Sequence, residues 1–423
     1  MNVGVIGLGK LGSPLAAWLA SKGCVVNLYD NDEGVMVSLA QGVPPVTEPG
    51  LDDLWATCRD RLVPKGSIAS LVYDSGIVFI VVPTPSLATG AFSLEYVKSV
   101  TQKIGFALAH AIPYKLVVLV STVNPGDTES LAAEIETISG KRCGPDWGMC
   151  YNPEFIALGL VLKGLDMPDL VLIGESDSTA GAVLDNFYRK MFYSKTRAYY
   201  PQVHRMSLAS AELAKLLINC YVTMKISFAN MVGMLAEATP GGYVDQITDA
   251  IGADRRIGKM YLTSGLGFGG PCFPRDNKAL MRYACQRGVL TLLPEATIAT
   301  NRYVLVSLID TIETNRHPGD LVGILGLTYK QDTVVITEAT GIDLLKYLGD
   351  LAIGYDPLLP LYRDNRDAIW KSADVLVVTL PLNEFKDLSD TKARVIIDPW
   401  RHVLEVPPGT QHIQPGNYRE MDR

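Results

Sequence analysis

One cysteine in this 423-residue sequence lies in a setting suited to covalent chemistry. Three glycines between positions 267 and 270 precede Cys272, and Arg275 and Asp276 follow it. Small residues leave room for a substrate beside a thiol, and a nearby cation favours the thiolate, which is the nucleophilic form. The segment predicts a catalytic nucleophile at Cys272, with a buried structural cysteine as the alternative.

The other cysteines and the histidines offer no comparable site. No pair of the seven cysteines has C-x-x-C spacing, and the five histidines show no metal-binding spacing. We therefore expect no metal site and no disulfide framework, and the odd cysteine count favours reduced thiols in the cytoplasm. Cys58 gives no information. The remaining cysteines are predicted to be structural: Cys24, Cys143, Cys150, Cys220 and Cys285.

A glycine-rich turn near the N-terminus has the pattern of a dinucleotide-binding loop. Gly7, Gly9 and Gly12 form a G-x-G-x-x-G sequence, which includes Leu11, directly after an apolar run. The first glycine permits a tight bend, the second lets a pyrophosphate approach, and the third lets helix and strand pack closely. Asp30 follows about 20 residues on, where a carboxylate binds ribose hydroxyls and repels a 2′-phosphate. The pattern predicts an NAD site, with an unliganded glycine turn as the alternative.

Further candidate residues follow predicted strands or lie on a predicted helix. Thr84 and Thr122 lie in loops at the carboxyl ends of strands, where parallel sheets bind ligands. Glu154, in Asn-Pro-Glu-Phe, could act as a base or simply begin a helix. Lys215 and Asn219 share one helix face and could stabilise an oxyanion. Taken singly, turn chemistry, a helix-start carboxylate and a solvated helix face remain as alternatives.

Short apolar runs that alternate with helical segments must position these residues. Such alternation is typical of a parallel sheet with crossover helices. One segment, Ser207–Ala238, contains almost no Gly or Pro and predicts a helix long enough to span domains or to form a subunit interface. The predicted strands are Val3–Leu8, Val25–Tyr29, Ile77–Val82, Leu116–Val120, Cys150–Tyr151, Leu170–Ile173, Leu321–Leu325, Ile353–Tyr355, Val375–Thr379 and Val395–Ile397, and the other helices are Leu11–Ser21 and Pro294–Thr314.

These elements predict an α/β protein with two Rossmann-like doubly wound domains joined by a central helical domain. We expect an NAD-binding domain in residues 1–200, a helical dimerisation and catalytic domain in 201–300, and a second α/β domain in 301–423. The net charge of −7 argues against nucleic acid or an anionic membrane as a partner. No apolar run approaches the roughly 18 residues that span a bilayer. The N-terminus lacks the features of a signal peptide.

With Cys272 included, the order of the motifs resembles that of the UDP-glucose/GDP-mannose dehydrogenase family. The resemblance covers nearly the whole chain, from Gly7 to about Trp400. Each motif alone is weak, but the motifs together favour the catalytic interpretations over the alternatives. In order they are the glycine turn, Asp30, Glu48–Leu51, Val82–Pro85, Ser121–Val123, Asn152–Phe155, Lys215 with Asn219, Gly267–Asp276, Gly326–Lys330 and Tyr355–Pro357.

The resemblance implies a four-electron oxidation of a nucleotide sugar, UDP-glucose to UDP-glucuronate, with two NAD. Cys272 would be the nucleophile, Lys215 and Asn219 would stabilise the thiohemiacetal oxyanion, and Glu154 would act as general base in thioester hydrolysis. The same chemistry on GDP-mannose or a UDP-N-acetylhexosamine is an alternative. A catalytically impaired nucleotide-sugar binding protein is another.

The resemblance also implies ligand contacts. Asp276 and Thr122 would position the hydrolytic water. The domain in residues 301–423 would hold the uridine diphosphate, and Arg256 would reach the substrate of a neighbouring subunit in a homodimer. The implied cofactor contacts are Gly7, Gly9, Leu11, Gly12, Asp30, Thr84, Thr122 and Arg275, and the implied substrate contacts are Phe155, Lys215, Asn219, Arg256, Tyr261, Gly269 and Lys330.

Three single positions and one short segment depart from the family's pattern. Leu158 stands where a second glutamate is usual, and Arg275 replaces a lysine. Val35 replaces a basic residue expected near the adenosine. The family's T-D-D-x-R-E is Thr333–Glu338 here, so that Thr337 stands in place of the arginine that contacts the cofactor. These departures bear on NAD affinity, on the choice of sugar and on water activation, and they leave the reaction class unchanged.

Overall fold

The computed structural model describes residues 1–111, 113–156, 159–193 and 200–418. The chain divides into two compact units, Met1–Leu217 and Ile218–Arg423. Each unit contains one sheet with helices packed against it, so the α/β class with two Rossmann-like sheets is confirmed. The three-domain division at residues 200 and 300 remains a prediction.

The sheet of the first unit has eight strands in the order β3-β2-β1-β4-β5-β6-β7-β8. Its strands are almost entirely apolar in the centre, as expected for a sheet that is covered on both faces. One large core lies on each face of this sheet. The strands are β1 Asn2–Ile6, β2 Val25–Tyr29, β3 Leu62–Pro64, β4 Ile77–Ile80, β5 Leu116–Leu119, β6 Gly148–Tyr151, β7 Leu170–Glu175 and β8 Gln202–Ser207.

The helices of the first unit follow these strands as crossover connections. The helix predicted at Leu11–Ser21 begins one residue later, at Gly12. The helices are α1 Gly12–Ser21, α2 Glu33–Gln41, α3 Leu51–Thr57, α4 Ile68–Asp74, α5 Glu95–His110, α6 Asp127–Ser139, α7 Val161–Asp166 and α8 Ser178–Phe192.

Two features of this sheet differ from the sequence-based expectation. Strand β7 pairs antiparallel with β6, with Tyr151 opposite Gly174, although a wholly parallel sheet was expected. Strands β3 and β8 were not predicted, since β3 has three residues and β8 is polar and largely exposed. Both lie at sheet edges, where an apolar run is not required.

The second unit contains a five-stranded sheet in the order β10-β9-β11-β12-β13, with all pairs parallel. Four of its strands were predicted, and Val395–Ile397 has the predicted bounds. Two core clusters flank this sheet. The strands are β9 Val322–Leu325, β10 Ala352–Tyr355, β11 Val375–Val378, β12 Val395–Ile397 and β13 Gln411–Ile413, and the helices that begin in this unit are α10 Val244–Ala253, α11 Phe273–Gln286, α12 Leu292–Asn315, α13 Thr340–Leu348 and α14 Arg366–Ser372.

The predicted long helix is helix α9, Leu208–Glu237, and it contains the boundary between the two units. Its most apolar 18-residue window has a mean hydropathy of 1.2 and is 50% buried. By length and composition alone this helix could cross a membrane, although a core helix of a soluble protein meets the same criterion. The sequence analysis missed this, because polar residues such as Lys215 and Asn219 interrupt the apolar run.

The same hydrogen bond occurs in both sheets, between the turn that follows one strand and an acid at the end of the neighbouring strand. The backbone N–H of Leu8, just after β1, donates to Asp30 Oδ2 at 2.7 Å. In the second unit the backbone N–H of Leu327, just after β9, donates to Asp356 Oδ2 at 2.8 Å. In each case an acid at the end of one strand fixes the turn that follows its neighbour.

The glycines of these two turns are also alike. Gly7 and Gly326 have φ values of 93° and 99°, in the region that favours glycine. A Cβ at Gly12 would overlap the carbonyl oxygen of Gly7, and a Cβ at Gly341 would overlap that of Gly326. Each helix start therefore packs so closely on its turn that only glycine fits.

Candidate active site

The glycine turn between β1 and α1 has the shape that a pyrophosphate requires. Around Gly9 no atom lies within 4 Å of where a Cβ would stand. Helix α1 begins directly after this space, and the N-terminal end of a helix favours an anion. Leu11 is the N-cap residue of α1 and packs against the core. The turn that contains Gly7, Gly9, Leu11 and Gly12 thus leaves room beside a helix start for a dinucleotide, and the contacts of these residues with the cofactor remain a prediction.

Asp30 lies at the end of β2 and is fixed by two backbone donors. Leu8 N–H binds Oδ2 at 2.7 Å, and Asp32 N–H binds Oδ1 at 3.0 Å. Each carboxylate oxygen can accept more than one hydrogen bond. The side chain therefore holds the turn and still has acceptor capacity for ribose hydroxyls.

Replacing Asp30 by alanine should weaken the preference for NAD over NADP. Removing the carboxylate removes its repulsion of a 2′-phosphate, and we expect the ratio of kcat/KM for NAD to that for NADP to fall at least about tenfold. The measurement is initial rates with each cofactor. Asp356→Ala is the matched control, because it removes the equivalent turn contact in the second unit and should leave the ratio unchanged. An Asp30→Ala enzyme with the wild-type ratio would contradict the prediction.

Two loops at the carboxyl edge of the first sheet are joined to each other. Thr84, which is buried, donates its hydroxyl to the carbonyl oxygen of Thr122 at 2.7 Å. Ser121 donates its hydroxyl to the carbonyl oxygen of Val82 at 2.6 Å. These bonds set the loop that bears Thr122 against the loop that bears Thr84. The structure thus brings together both threonines that the sequence analysis selected.

Glu154 and Phe155, in the loop after β6, both lie against Lys215 of α9. The ammonium of Lys215 donates to the backbone carbonyl oxygen of Glu154 at 2.6 Å and lies 4.5 Å from the centre of the Phe155 ring. Lys215 is 8% exposed, and a buried ammonium needs such partners. The ring and the carbonyl therefore hold a positive charge at this loop.

The carboxyl group of Glu154 is in an environment that favours proton uptake. Burial raises the pKa of Glu154 to about 7, and the nearby Lys215 opposes part of that rise. Asn152 holds the start of the loop, because its Nδ2 donates to the carbonyl oxygen of Leu172 at 2.9 Å and its Oδ1 accepts from the Tyr188 hydroxyl at 2.5 Å. A carboxyl with a pKa near 7 can take up and release a proton at neutral pH.

In the second unit, asparagines from two helices hold the glycine-rich segment before Cys272. Asn230 of α9 accepts from Gly265 N–H at 2.9 Å and donates to the carbonyl oxygen of Leu266 at 3.2 Å. Asn301 of α12 accepts from Phe268 N–H at 2.7 Å and donates to the Phe268 carbonyl at 2.9 Å. The sequence analysis missed both asparagines, whose only signal is a polar side chain within a largely apolar helix.

Cys272 is the N-cap residue of α11 and is exposed. A negative charge at the start of a helix is stabilised by the helix dipole. Asp276, one turn further on, is 0% exposed and accepts from Asn219 Nδ2 at 2.6 Å and from Arg275 Nε at 3.0 Å. An accessible thiol and a fixed, paired carboxylate therefore lie on the same helix start.

The segment after β9 covers the glycines of this loop. Gly270 N–H donates to the carbonyl oxygen of Thr337 at 2.9 Å, and a Cβ at Gly269 would overlap the carbonyl oxygen of Glu338. Burial raises the pKa of Tyr329 to about 12, and the charge of Cys272 adds to that rise. Lys330 follows directly and is half-buried. Gly269, Cys272 and Tyr329 thus belong to one neighbourhood within this unit, and the Lys330 ammonium lies 6.0 Å from the centre of the Tyr329 ring.

Two predicted substrate contacts lie on exposed turns after α10. Arg256 pairs with Asp254, with 2.6 Å between Nη2 and Oδ2, and its side chain is 87% exposed. Tyr261 is also exposed and has a φ of 61°. Neither side chain is enclosed by the second unit of its own chain.

Exposure corrects part of the cysteine analysis. Cys24, Cys150 and Cys220 are buried as predicted, whereas Cys143 is half-buried and Cys285 is exposed near the end of α11. Burial raises the pKa of Cys220 to about 12, as expected for an inert thiol. The structural interpretation of Cys285 was therefore wrong, because the apolar neighbours in its sequence belong to another helix face.

The positions that depart from the family's pattern have different settings. Val35 lies in the first turn of α2 and packs against the core of the first unit. The backbone carbonyl of Thr337 accepts from Gly270 N–H, and Val334, three residues earlier in the chain, is 60% exposed. Leu158 lies outside the described residues.

A Rossmann-like sheet with a glycine turn and an acid after β2 is characteristic of a dinucleotide-binding domain. Residues 1–192 match the model of the UDP-glucose/GDP-mannose dehydrogenase family, NAD binding domain, and residues 209–303 match that family's central domain. The chain belongs to this family of nucleotide-sugar dehydrogenases, and its cofactor is NAD.

Individual relatives differ in the nucleotide sugar that they are named for. The chain is 31% identical over 414 residues to UDP-glucose 6-dehydrogenase TuaD of Bacillus subtilis, which covers 96% of this chain and 85% of that protein. It is 31% identical over 361 residues to GDP-mannose 6-dehydrogenase of Pseudomonas aeruginosa, with 84% and 80% covered. A UDP-glucose dehydrogenase structure from Pyrobaculum islandicum matches with a TM-score of 0.84 and 27% identity, over 97% and 98% of the chains.

Proposed function

We propose that this protein oxidises UDP-glucose to UDP-glucuronate through a covalent intermediate on Cys272. The exposed thiol at the start of α11, one turn before a buried and paired Asp276, is the observation that carries this proposal. The motif order and a UDP-glucose 6-dehydrogenase relative over 96% of the chain support the choice of sugar.

The proposed reaction removes four electrons from C6 of the sugar. The alcohol first loses a hydride and a proton to give an aldehyde, and the Cys272 thiolate adds to it to form a thiohemiacetal. Loss of a second hydride gives a thioester, and water releases the carboxylate and the thiol. NAD, when bound, accepts the hydride in each oxidation. A nucleophile is needed because an aldehyde lacks the tetrahedral hydride donor until the thiolate adds.

The residues of the chain would divide the remaining work. Lys215 and Asn219 would donate hydrogen bonds to the oxyanion, where each donor can contribute about 3–4 kcal/mol. Glu154 would accept a proton from the hydrolytic water, which Asp276 and Thr122 would position. The substrate would be held by Phe155, Tyr261, Gly269, Lys330 and the partner's copy of the Arg256 side chain, and Arg275 and Thr84 would face the cofactor.

The product ratio tests the proposal directly. Limiting UDP-glucose should yield two NADH per molecule, since only a four-electron oxidation reduces two NAD. GDP-mannose is the second candidate, because the relative from P. aeruginosa is as similar in sequence as that from B. subtilis. Two equivalents of NADH from GDP-mannose and none from UDP-glucose would identify GDP-mannose as the substrate instead. No NADH from any nucleotide sugar would favour the impaired binding protein.

We expect the protein to form a homodimer through helix α9. On the exposed face of this helix, successive apolar side chains are four, seven, three and four residues apart. Spacings of three, four and seven residues are the pattern of a helix–helix seam. The exposed apolar residues are Leu217, Tyr221, Phe228, Met231 and Leu235.

We also expect the protein to be cytoplasmic. Seven free cysteines favour the reducing cytoplasm over a membrane or an exported location.

The double variant Tyr221→Glu, Phe228→Glu should convert the dimer to a monomer. Large aromatic residues at the centre of an interface commonly contribute about 2 kcal/mol or more each, and an unpaired buried charge adds a further cost. Light scattering at micromolar concentration measures the mass. Phe106→Glu, on an exposed position of α5, is the control and should leave the mass unchanged. A wild-type monomer would contradict the prediction and remove the proposed role of Arg256.

A further inference from the structure

We propose that Glu48 and Glu212 are positioning residues, which hold the loops of Glu154 and Thr122 by capping the helices that follow those loops. The catalytic consequence rests on the proposed function, whereas the structural part of the proposal does not. The hydrogen bonds of Glu212 go to Gly126 and Thr128 and those of Glu48 go to Gly159 and Val161, so the two can be tested separately.

Glu212 of α9 caps helix α6, which begins directly after the loop that contains Thr122. The first N–H groups of a helix have no partner within the helix, and the N-cap residue here is Gly126, which has no side chain to supply one. Glu212 Oε2 accepts from Gly126 N–H at 2.6 Å, and Oε1 accepts from Thr128 N–H at 2.8 Å. The carboxylate is 0% exposed, so water cannot replace these bonds without a rearrangement.

Glu48 does the same for α7, which follows the loop that contains Glu154. The N-cap residue of α7 is Leu160, whose side chain cannot accept a hydrogen bond. Glu48 Oε1 accepts from Val161 N–H at 2.7 Å, and Oε2 accepts from Gly159 N–H at 3.2 Å. Glu48 is 7% exposed and comes from a part of the chain 113 residues earlier.

Helix α9 connects the two loops through side chains one turn apart. Glu212 binds the start of α6, and Lys215 binds the backbone carbonyl of Glu154 at 2.6 Å. The first turns of α9 therefore hold both loops, because Glu212 binds next to the loop of Thr122 and Lys215 binds the loop of Glu154. A shift of either loop would move the groups that the proposed hydrolysis needs.

A carboxylate is the side chain that suits these positions. Each glutamate uses both oxygens to accept from two backbone N–H groups, which is the strong, charge-assisted form of this bond. Glutamine has nearly the same shape, but it turns an NH2 group toward one of the two donors. Glu→Gln substitutions therefore remove one bond of each pair with little change in volume.

The pH profile reports the position of the Glu154 loop. Among the residues that the structure describes, the charged or titratable groups that face Glu154 are Lys215 from α9 and Tyr188 from α8. Burial keeps the Glu154 pKa near 7. If the loop loosens, water reaches this carboxyl and its pKa falls toward the ordinary value.

The activity test compares two variants with the wild type. Glu212→Gln should lower kcat at least about tenfold with KM for the nucleotide sugar within about twofold, because misplaced groups slow the chemistry more than they weaken binding. Glu48→Gln should move the acid limb of the pH–rate profile down by about half a pH unit or more. Glu136→Gln is the control, because Glu136 accepts one backbone N–H, from Cys143 at 2.7 Å, away from both loops.

Hydrogen exchange supplies a readout that needs no activity. In the wild type the amides of Gly126, Thr128 and Val161 should exchange slowly, although they lie at helix starts. In the corresponding Gln variant each should exchange at least about tenfold faster. If a variant does not fold, the exchange rates of these amides in the wild type test the caps instead. Fast exchange of these amides in the wild type overturns the proposal.

The two possible failures are distinguishable. If the wild type oxidises no nucleotide sugar, the proposed function fails, and the exchange rates still test the caps. If Glu48→Gln and Glu212→Gln lose thermal stability as Glu136→Gln does but keep the wild-type kcat and acid limb, both glutamates are structural and the positioning role is wrong.

Discussion

Replacing Cys272 by serine should leave the protein carrying a covalently bound nucleotide sugar. The serine hydroxyl can still add to the aldehyde, but the resulting ester is a poorer acyl donor than a thioester, so hydrolysis slows and the adduct accumulates. Mass spectrometry should show one nucleotide sugar per chain. Overall turnover should fall by on the order of 1,000-fold or more, as expected for loss of a nucleophile.

Two further variants separate the nucleophile from a general effect of losing a thiol. Cys272→Ala should show neither adduct nor four-electron turnover, because no group remains to trap the aldehyde. Cys285→Ser is the matched control, since it changes another exposed cysteine of the same helix and should keep wild-type rates. Near-normal formation of two NADH per sugar by Cys272→Ala would refute the covalent mechanism.

Replacing Glu154 by glutamine should stop the reaction after the second oxidation. The amide cannot accept a proton from water, so the thioester persists, and steady-state turnover should fall at least about 100-fold. Rapid mixing should show a burst of two NADH per active site followed by a slow phase. In the wild type kcat should rise as the pH rises through about 7, because the raised pKa leaves the Glu154 carboxyl protonated and inactive as a base below that value.

The Glu154→Gln variant should also lose the acid limb of the pH–rate profile, which is the fall of kcat below about pH 7. Glu129→Gln, at an exposed position of α6, is the control and should retain both the limb and the rate. A Glu154→Gln enzyme with a wild-type limb and no burst would assign the base to another residue.

Features of the fold that depend on neighbours in the sequence were predictable. Strand β2 and helix α9 have the predicted positions because apolar periodicity is a local signal. The antiparallel pairing of β6 with β7 was not predictable, since strand direction depends on the path of the chain between the strands. The edge strand β8 is polar and lacks the pattern altogether.

The same distinction applies to the site. Gly7 and Asp30 could be paired from sequence, because the carboxyl ends of neighbouring parallel strands meet at one edge. Glu48 and Glu212 could not be assigned a partner, because each binds backbone N–H groups, which every residue type except proline provides. Contacts from side chain to distant backbone leave no signature in the partner's sequence.

The two glycine turns have the same construction, with Asp30 and Asp356 each binding the turn after a neighbouring strand. In the first unit the helix begins shortly after the turn and leaves open space beside Gly9. In the second unit a longer segment separates Gly326 from Gly341.

That longer segment places Tyr329 beside Gly270 and near Cys272. Because the glycines and the acid hold the turn, the segment can change in sequence without loss of the sheet. The replacements from Val334 to Thr337 fall within it. The second unit therefore separates the residues that maintain its fold from the residues that reach the Cys272 loop, and the second set can be redesigned for a different sugar while the first is left untouched.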